Sequence, residues 1–474
     1  MKQGRVIGAD ELDARERARV LVEDAEARAA GIVAAAQAAA ERVRARAAAA
    51  ELPAMAPTVG EGRVDAVVGL VIHAALDGAA LGEVVVIDRG AGRPPLPAEI
   101  VGFRGDQAIA LPLGELAGVR AAAAVWRTGR AAELRCGDDL LGRVLDGTGA
   151  PIDGGPPLTG APRPIAAAAP DPLTRPPITT PLPTGVRALD ALLALGRGQR
   201  IGIFAAAGVG KSTLVGQLAR GAASDVIVLC LVGERGRELR ELLGDELAPA
   251  RARTVAVCAT SDAPPLVRVR AVEVATAIAE SFRDRGRHVL LLVDSLTRVA
   301  RAQREVGLSA GEPVARHGYP PSVFALLPRL IERASATARG TITGIYAVLV
   351  AGDDHDEPIA DEVRGLVDGH VVLSRRLAQR GQFPPIDVVA SASRLAHRVI
   401  DERHAAAAAR TRARLAIYDE HRDLVALGAY QAGRDPAVDD AVAAFPAIEN
   451  LLRQRRDEVV AWDSALAELH RVAR

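Results

Sequence analysis

The segment Ile201-Gly-Ile-Phe-Ala-Ala-Ala-Gly-Val-Gly-Lys-Ser-Thr-Leu214 constrains this chain more than any other. A short apolar run leads into a glycine-bearing turn, and Lys-Ser-Thr then opens a helical pattern. Strand, tight loop and helix start in that order cradle phosphate groups, because loop N–H groups and the positive end of the helix dipole converge on one anion. Lysine usage sharpens the point. Lys and Arg together number 59, yet only Lys2 and Lys211 are lysine. Arginine serves wherever a generic positive charge suffices. A compact, flexible ammonium is kept where it must reach between the β- and γ-phosphates of a nucleotide, which a planar guanidinium does not do. The spacing therefore predicts Lys211 as the phosphate-neutralising residue. Ala206, Ala207, Gly208, Val209 and Gly210 supply loop backbone, Ser212 and Thr213 open the helix, and Ser212 offers its hydroxyl to Mg2+. The general pattern places glycine six residues before the lysine, whereas this chain has Ala205.

Composition bounds the remainder. At 474 residues the chain exceeds one core and should divide into about three domains. The 59 basic residues balance 59 acidic ones, so no global field argues for nucleic acid. Cys136, Cys230 and Cys258 lack CxxC spacing, which argues against a zinc site and a disulfide framework and fits a reducing cytoplasm. No apolar run approaches the ~18 residues needed to span a bilayer, which leaves only peripheral docking at a membrane.

Along the chain the pattern changes several times. Residues 1–56 hold a proline-free stretch from Glu11 to Leu52 with Val22, Ala29, Ala36 and Val43 in heptad register, which predicts a helical extension, either a coiled coil or a solvated alanine-rich helix. Residues 57–137 carry short β-rich runs punctuated by glycine, such as Val64–Ile72 and Glu83–Asp88, and predict a small barrel. From 138 to 395 buried runs alternate with helical ones: 201–204, 226–232, 255–258, 288–294 and 345–350. That alternation predicts an α/β core with a mostly parallel sheet and helices on both faces. Residues 396–474 read as helical, with a turn signal at Gly433-Arg-Asp-Pro436.

Ligands of such sheets bind at the C-terminal ends of strands. Glu234, after the run ending at Val232, is the residue predicted to orient and polarise an attacking water, with Arg235 balancing charge. Asp294 closes the next apolar strand and reads as the carboxylate acting on Mg2+.

These segments resemble a known family in order and in detail. Thr184-Gly-Val-Arg-Ala-Leu-Asp190, Gly196-Arg-Gly-Gln-Arg200, the phosphate loop, Gly233-Glu-Arg-Gly-Arg-Glu238 and Asp294-Ser-Leu-Thr-Arg-Val-Ala-Arg-Ala-Gln-Arg-Glu305 follow one another, and then Gly311-Glu-Pro313, Gly318-Tyr-Pro-Pro-Ser-Val-Phe324, Gly352-Asp-Asp354 and Asp368-Gly-His370. Together they look like the ATPases of type III secretion systems, relatives of the catalytic subunits of rotary ATP synthases. The resemblance implies a RecA-like P-loop core, ATP and Mg2+ as substrate and cofactor, and a homo-hexamer at the cytoplasmic face of the membrane export gate. Hydrolysis there would release chaperones and unfold cargo, with a central stalk and a stator protein as partners. Arg298-Val-Ala-Arg-Ala-Gln303 and Asp361-Glu-Val-Arg364 resemble the injectisome branch more than the flagellar one.

The same resemblance assigns Phe383, in Gly381-Gln-Phe-Pro384, to the adenine base and Arg394, in Ser391-Ala-Ser-Arg394, to an arginine finger entering the neighbouring subunit's site. It gives 306–319 the loop facing the central channel. Ala206-Ala207 stands where relatives usually carry Gly-Ser, which predicts a restricted loop. Gly4-Arg-Val-Ile-Gly-Ala9 resembles the start of the separate stator. A nucleic-acid translocase of the Rho type shares the core fold but needs a basic, aromatic-bearing surface, and residues 60–136 offer only Phe103 and Trp126 as aromatics.

Overall fold

The computed structural model describes residues 60–90, 92–350 and 357–474. The helical extension expected over 1–56 and the segment Gly352-Asp-Asp354 lie outside the described residues.

Six strands follow Gly60: β1 (Glu61–Val68), β2 (Val71–Ala75), β3 (Glu83–Ile87), β4 (Leu96–Arg104), β5 (Gln107–Pro112) and β6 (Ala124–Ala131). They pair in the order β1-β2-β5-β4-β3-β6, and β1 closes back on β6 through Glu61↔Trp126 and Arg63↔Ala124. Closure leaves no free edge. Alternate residues such as Val64, Ile72, Val85, Ile87, Ile100 and Val125 fill the interior.

The second sheet holds eight strands: β7 (Val144–Asp146), β8 (Arg200–Ala205), β9 (Val226–Glu234), β10 (Thr254–Thr260), β11 (His288–Asp294), β12 (Thr341–Leu349), β13 (Gly369–Leu373) and β14 (Ile386–Ser393). Their order is β14-β13-β8-β12-β11-β9-β10-β7. Every pairing is parallel except β13 with β14. In β9, Val226, Val228, Cys230 and Val232 enter one buried cluster, while Ile227, Leu229 and Leu231 enter another on the opposite face. A strand covered on both faces needs a continuous apolar run, and this is why 226–232 shows no polar alternation. Each such side chain contributes about 1.5–3 kcal/mol on burial.

The longer helices are α1 (Lys211–Gly221), α2 (Pro265–Asp284), α3 (Leu296–Ser309), α4 (Pro321–Arg333), α5 (Glu402–Ala426), α6 (Pro436–Leu452) and α7 (Trp462–Val472). Helix α2 is buried along almost its whole length and packs on β9, β10 and β11. The turn signal at Gly433–Pro436 marks a real start: Asp435 accepts from Ala437 N at 2.8 Å and Pro436 takes the first turn of α6. Leu415, Ile448, Leu452 and Leu469 of the last three helices join the cluster that contains Leu214 and Leu218 of α1. The C-terminal helices thus lie on the face of the sheet that carries the phosphate loop. Among the described residues no helix is long and apolar enough to cross a membrane.

The barrel meets the sheet domain through Val71, Ile109 and Leu111 against Leu266 and Val306, and through Glu99 bonded to Arg270, which also bonds Glu273. Residues 306–319 therefore depart from the reading of one open loop. Val306 is buried under the barrel and 306–309 are the last turn of α3, because an apolar side chain at this helix position finds β-barrel surface to cover it.

Candidate active site

Strand β8 ends at Ala205, the chain turns through Ala206–Gly210, and α1 begins at Lys211. Gly208 and Gly210 take φ of +78° and +110°, the left-handed region that glycine enters freely. The positive-φ residues other than glycine are Ala122 and His317 among those described, so Ala206 and Ala207 sit in ordinary backbone geometry. Neither alanine is asked to take the left-handed backbone that would require glycine.

Strands β9 and β11 are neighbours in register, with Leu231 opposite Asp294, so Glu234 and Asp294 emerge at the same end of the sheet. Both are buried, as is Lys211. The Lys211 ammonium is ion-paired with Asp294 Oδ1 and lies 3.9 Å from Glu234 Oε1. A sheet register thus joins three residues that the sequence separates by 83 positions between Lys211 and Asp294. Burial pushes the Glu234 carboxyl above its ordinary range, aided by a hydrogen bond from Glu238 and by the Asp294 charge; Lys211 and Arg298 oppose that rise.

Arg298 is the residue that sequence reasoning missed. It sits in the first turn of α3, and its Nη2 lies 3.3 Å from Glu234 Oε1. Gly233 makes room: its φ is +69°, and a Cβ there would stand 2.8 Å from Arg298 Cδ. The signal was present in the run Asp294-Ser-Leu-Thr-Arg298, four residues from the carboxylate, but only the tertiary structure says which carboxylate it serves.

Ser212, Thr213, Glu234 and Asp294 line one cleft of about 370 Å3, joined by Leu231, Glu238, Glu241, Leu242, Glu246 and Arg456. Phe383 lies outside it. This residue is 49% exposed and walls a second, more open cleft of about 770 Å3 with Gly381 and residues 453–458. Arg456 belongs to both. Pro385 stands 3.8 Å from where a Cβ on Gly210 would be, so the segment after Phe383 covers the phosphate loop.

Besides Phe383, two further predicted residues are not brought to the cluster. The Arg235 side chain is 80% exposed and reaches Glu238 at 3.5 Å. Arg394 follows β14 at the sheet edge, exposed, with its N donating to Asp368 O at 3.0 Å and its Nη2 to Arg364 O at 3.3 Å. It lines neither cleft. Cys230 and Cys258 are buried among apolar neighbours that push both thiols up, Cys258 to about 12, so neither is a nucleophile.

The chain is similar to known proteins along most of its length. The family model for the ATP synthase alpha/beta family, nucleotide-binding domain, matches residues 185–393, and that for the T3SS EscN ATPase C-terminal domain matches 400–471. A type 3 secretion system ATPase from Xanthomonas euvesicatoria is 50% identical over 407 residues, 85% of this chain and 92% of that protein. The flagellum-specific ATP synthase of Bacillus subtilis is 44% identical over 411 residues, 86% and 94% of the two chains. Among solved structures, the assembled ATPase EscN from the type III secretion system of enteropathogenic E. coli is similar with a TM-score of 0.83 and 42% identity, covering 87% of this chain and 100% of that one. The same ATPase in complex with its central stalk EscO gives a TM-score of 0.81 at 41% identity, with the same coverage.

Proposed function

This chain belongs to the type III secretion system ATPases, and from that premise we infer which of its residues carry the hydrolysis that energises protein export. The single observation behind the reading is the buried cluster of Lys211, Glu234 and Asp294 beside the phosphate loop. Loop N–H groups and Lys211 hold the terminal phosphates of ATP, the ammonium leaving Asp294 for the phosphate oxygens as the nucleotide enters. Glu234, held by Arg298, accepts a hydrogen bond from the attacking water and takes up its proton. Closure of the site around these groups excludes other water and strengthens each charge interaction.

Ser212 and Asp294 line the same cleft and present hard oxygen donors, which suits Mg2+: that ion takes one or two protein oxygens and leaves the remaining positions to phosphate and water. When bound it supplies positive charge to the β- and γ-phosphate oxygens. Phe383 offers its exposed ring to the adenine base.

Arg394 acts in a neighbouring subunit of a ring, a hexamer on our reading. Its support is exposure at the sheet edge, away from its own chain's clefts, together with the assembled state of the similar EscN. A central stalk in the ring and peripheral attachment to the export gate, where chaperone-bound cargo arrives, complete the proposal. Arg298–Gln303 and Asp361–Arg364 favour the injectisome branch, with flagellar export as the alternative.

Glu234→Gln tests the core of it. The variant keeps the shape and should bind ATP as the wild type does, while turnover falls by about 10²–10⁴. A fall of less than about tenfold would remove Glu234 from the role of base.

A further inference from the structure

Arg456 stands where the two clefts meet, contributed from the segment between α6 and α7. Its backbone is fixed to the phosphate-loop helix: Gln217 Nε2 donates to Arg455 O at 3.0 Å, and Arg220 Nη2 donates to Arg456 O. Gln454 anchors the same segment. Its N donates to Phe383 O, its side-chain amide donates to Gly185 O, and its Oε1 accepts from Arg187 N, each at 2.8 Å.

The side chain is held far less. It is 73% exposed and reaches Glu246 at 3.8 Å, beyond hydrogen-bond length, while Glu246 is already bonded to Arg220. Its neighbours differ: Arg453 and Arg455 pair with Glu449 and Asp457 at 3.0 Å. Arg456 is thus rooted firmly beside the nucleotide loop with a guanidinium free to turn. Glu246 is already paired with Arg220, so it does not claim the Arg456 guanidinium, which lines the open cleft that Phe383 also walls. The Phe383 ring already offers one flat apolar wall, and a planar guanidinium stacks on an aromatic ring and is drawn to its π face.

We propose that Arg456 is a base-contacting residue, its guanidinium covering the purine ring that Phe383 supports from the other side. The inference rests on the reading of Phe383 as the base contact. It gives this chain a base-stacking arginine that no resemblance assigned.

Calorimetric titration of the full chain with the Mg2+ complexes of the β,γ-imido analogue of ATP and of inorganic tripolyphosphate tests it. Arg456→Ala should bind the nucleotide analogue about tenfold more weakly, the lower range for a lost stacking partner, and tripolyphosphate unchanged within about twofold. Arg456→Lys, which keeps the charge without the plane, should behave like the alanine variant. Nucleotide affinity within about twofold of wild type, an equal loss for tripolyphosphate, or full rescue by lysine would each overturn the proposal. Phe383→Ala separates the two readings. Weaker nucleotide binding in that variant alone rejects Arg456 and keeps Phe383, whereas unchanged binding in both variants rejects the base site itself.

Discussion

Arg298 Nη2 lies 3.3 Å from Glu234 Oε1, along a path that any side chain at Gly233 would obstruct. The guanidinium is a fixed counter-charge to a carboxylate that has been taken largely out of water. It orients the group and limits how far burial raises its pKa, so Arg298 is a positioning residue for Glu234 rather than one that touches the reacting atoms.

The pH profile reads this relationship directly. With Glu234 as the proposed base, hydrolysis needs its carboxylate, so activity should fall as pH drops through a pKa that burial, the Glu238 hydrogen bond and the Asp294 charge have raised. Removing the opposing Arg298 charge raises it further, and Arg298→Ala should shift the acid limb of kcat to higher pH. Arg298→Lys should restore most of the shift. A lower kcat with an unmoved acid limb would mean that Arg298 supports the fold and not the carboxylate.

Sharing of sites between subunits can be measured by mixing. Arg394→Ala should bind ATP normally but hydrolyse it roughly 10³–10⁵ more slowly, as expected for a lost arginine finger. Combined with Lys211→Ala, which lacks the phosphate counter-charge but keeps Arg394, mixed rings should contain some sites with both residues and regain activity. No recovery under conditions where mixed rings demonstrably form would count against a finger in trans.

His288, at the start of β11, governs an acid-stability effect remote from catalysis. Burial and the Arg197 charge lower its pKa to about 4, against the hydrogen bond to Ala223 O and the Asp225 charge. The neutral ring lies 3.0 Å from both Ala223 O and Thr343 Oγ1. Protonation favours the unfolded chain, so the contribution is intact above the unfolded pKa of about 6.5 and is lost as pH falls from there towards 4. Denaturant unfolding should weaken by up to about 1.4 kcal/mol per pH unit across that window, and His288→Gln should flatten the slope. An equally steep slope in the variant would assign it to other groups.

Much of the architecture was legible because it depends on local pattern. The continuous apolar run 226–232 announces a strand buried on two faces, and glycine-punctuated short runs announce the barrel. The edge strand β7 and strand β13 are not legible in the same way, since runs of three and five residues carry weak periodicity, and β14 holds only small or polar residues after Val389. Val306 reads as loop-facing in the sequence because nothing local says that barrel residues Val71 and Leu111 will cover it.

The sequence by itself determined the form of the candidate phosphate loop: strand, glycine turn, Lys211 and Ser212 lie within fourteen consecutive residues, and such short-range geometry follows from backbone preference and helix polarity. It also identified Glu234 and Asp294 as strand-end carboxylates. Only the tertiary structure decided that both converge on Lys211, that Arg298 serves Glu234 while Arg235 turns to solvent, and that residues 453–458 return to the phosphate-loop helix. The reason is physical. Those meetings depend on parallel-strand register and on which faces bury apolar surface across hundreds of residues, and neither is written in local spacing.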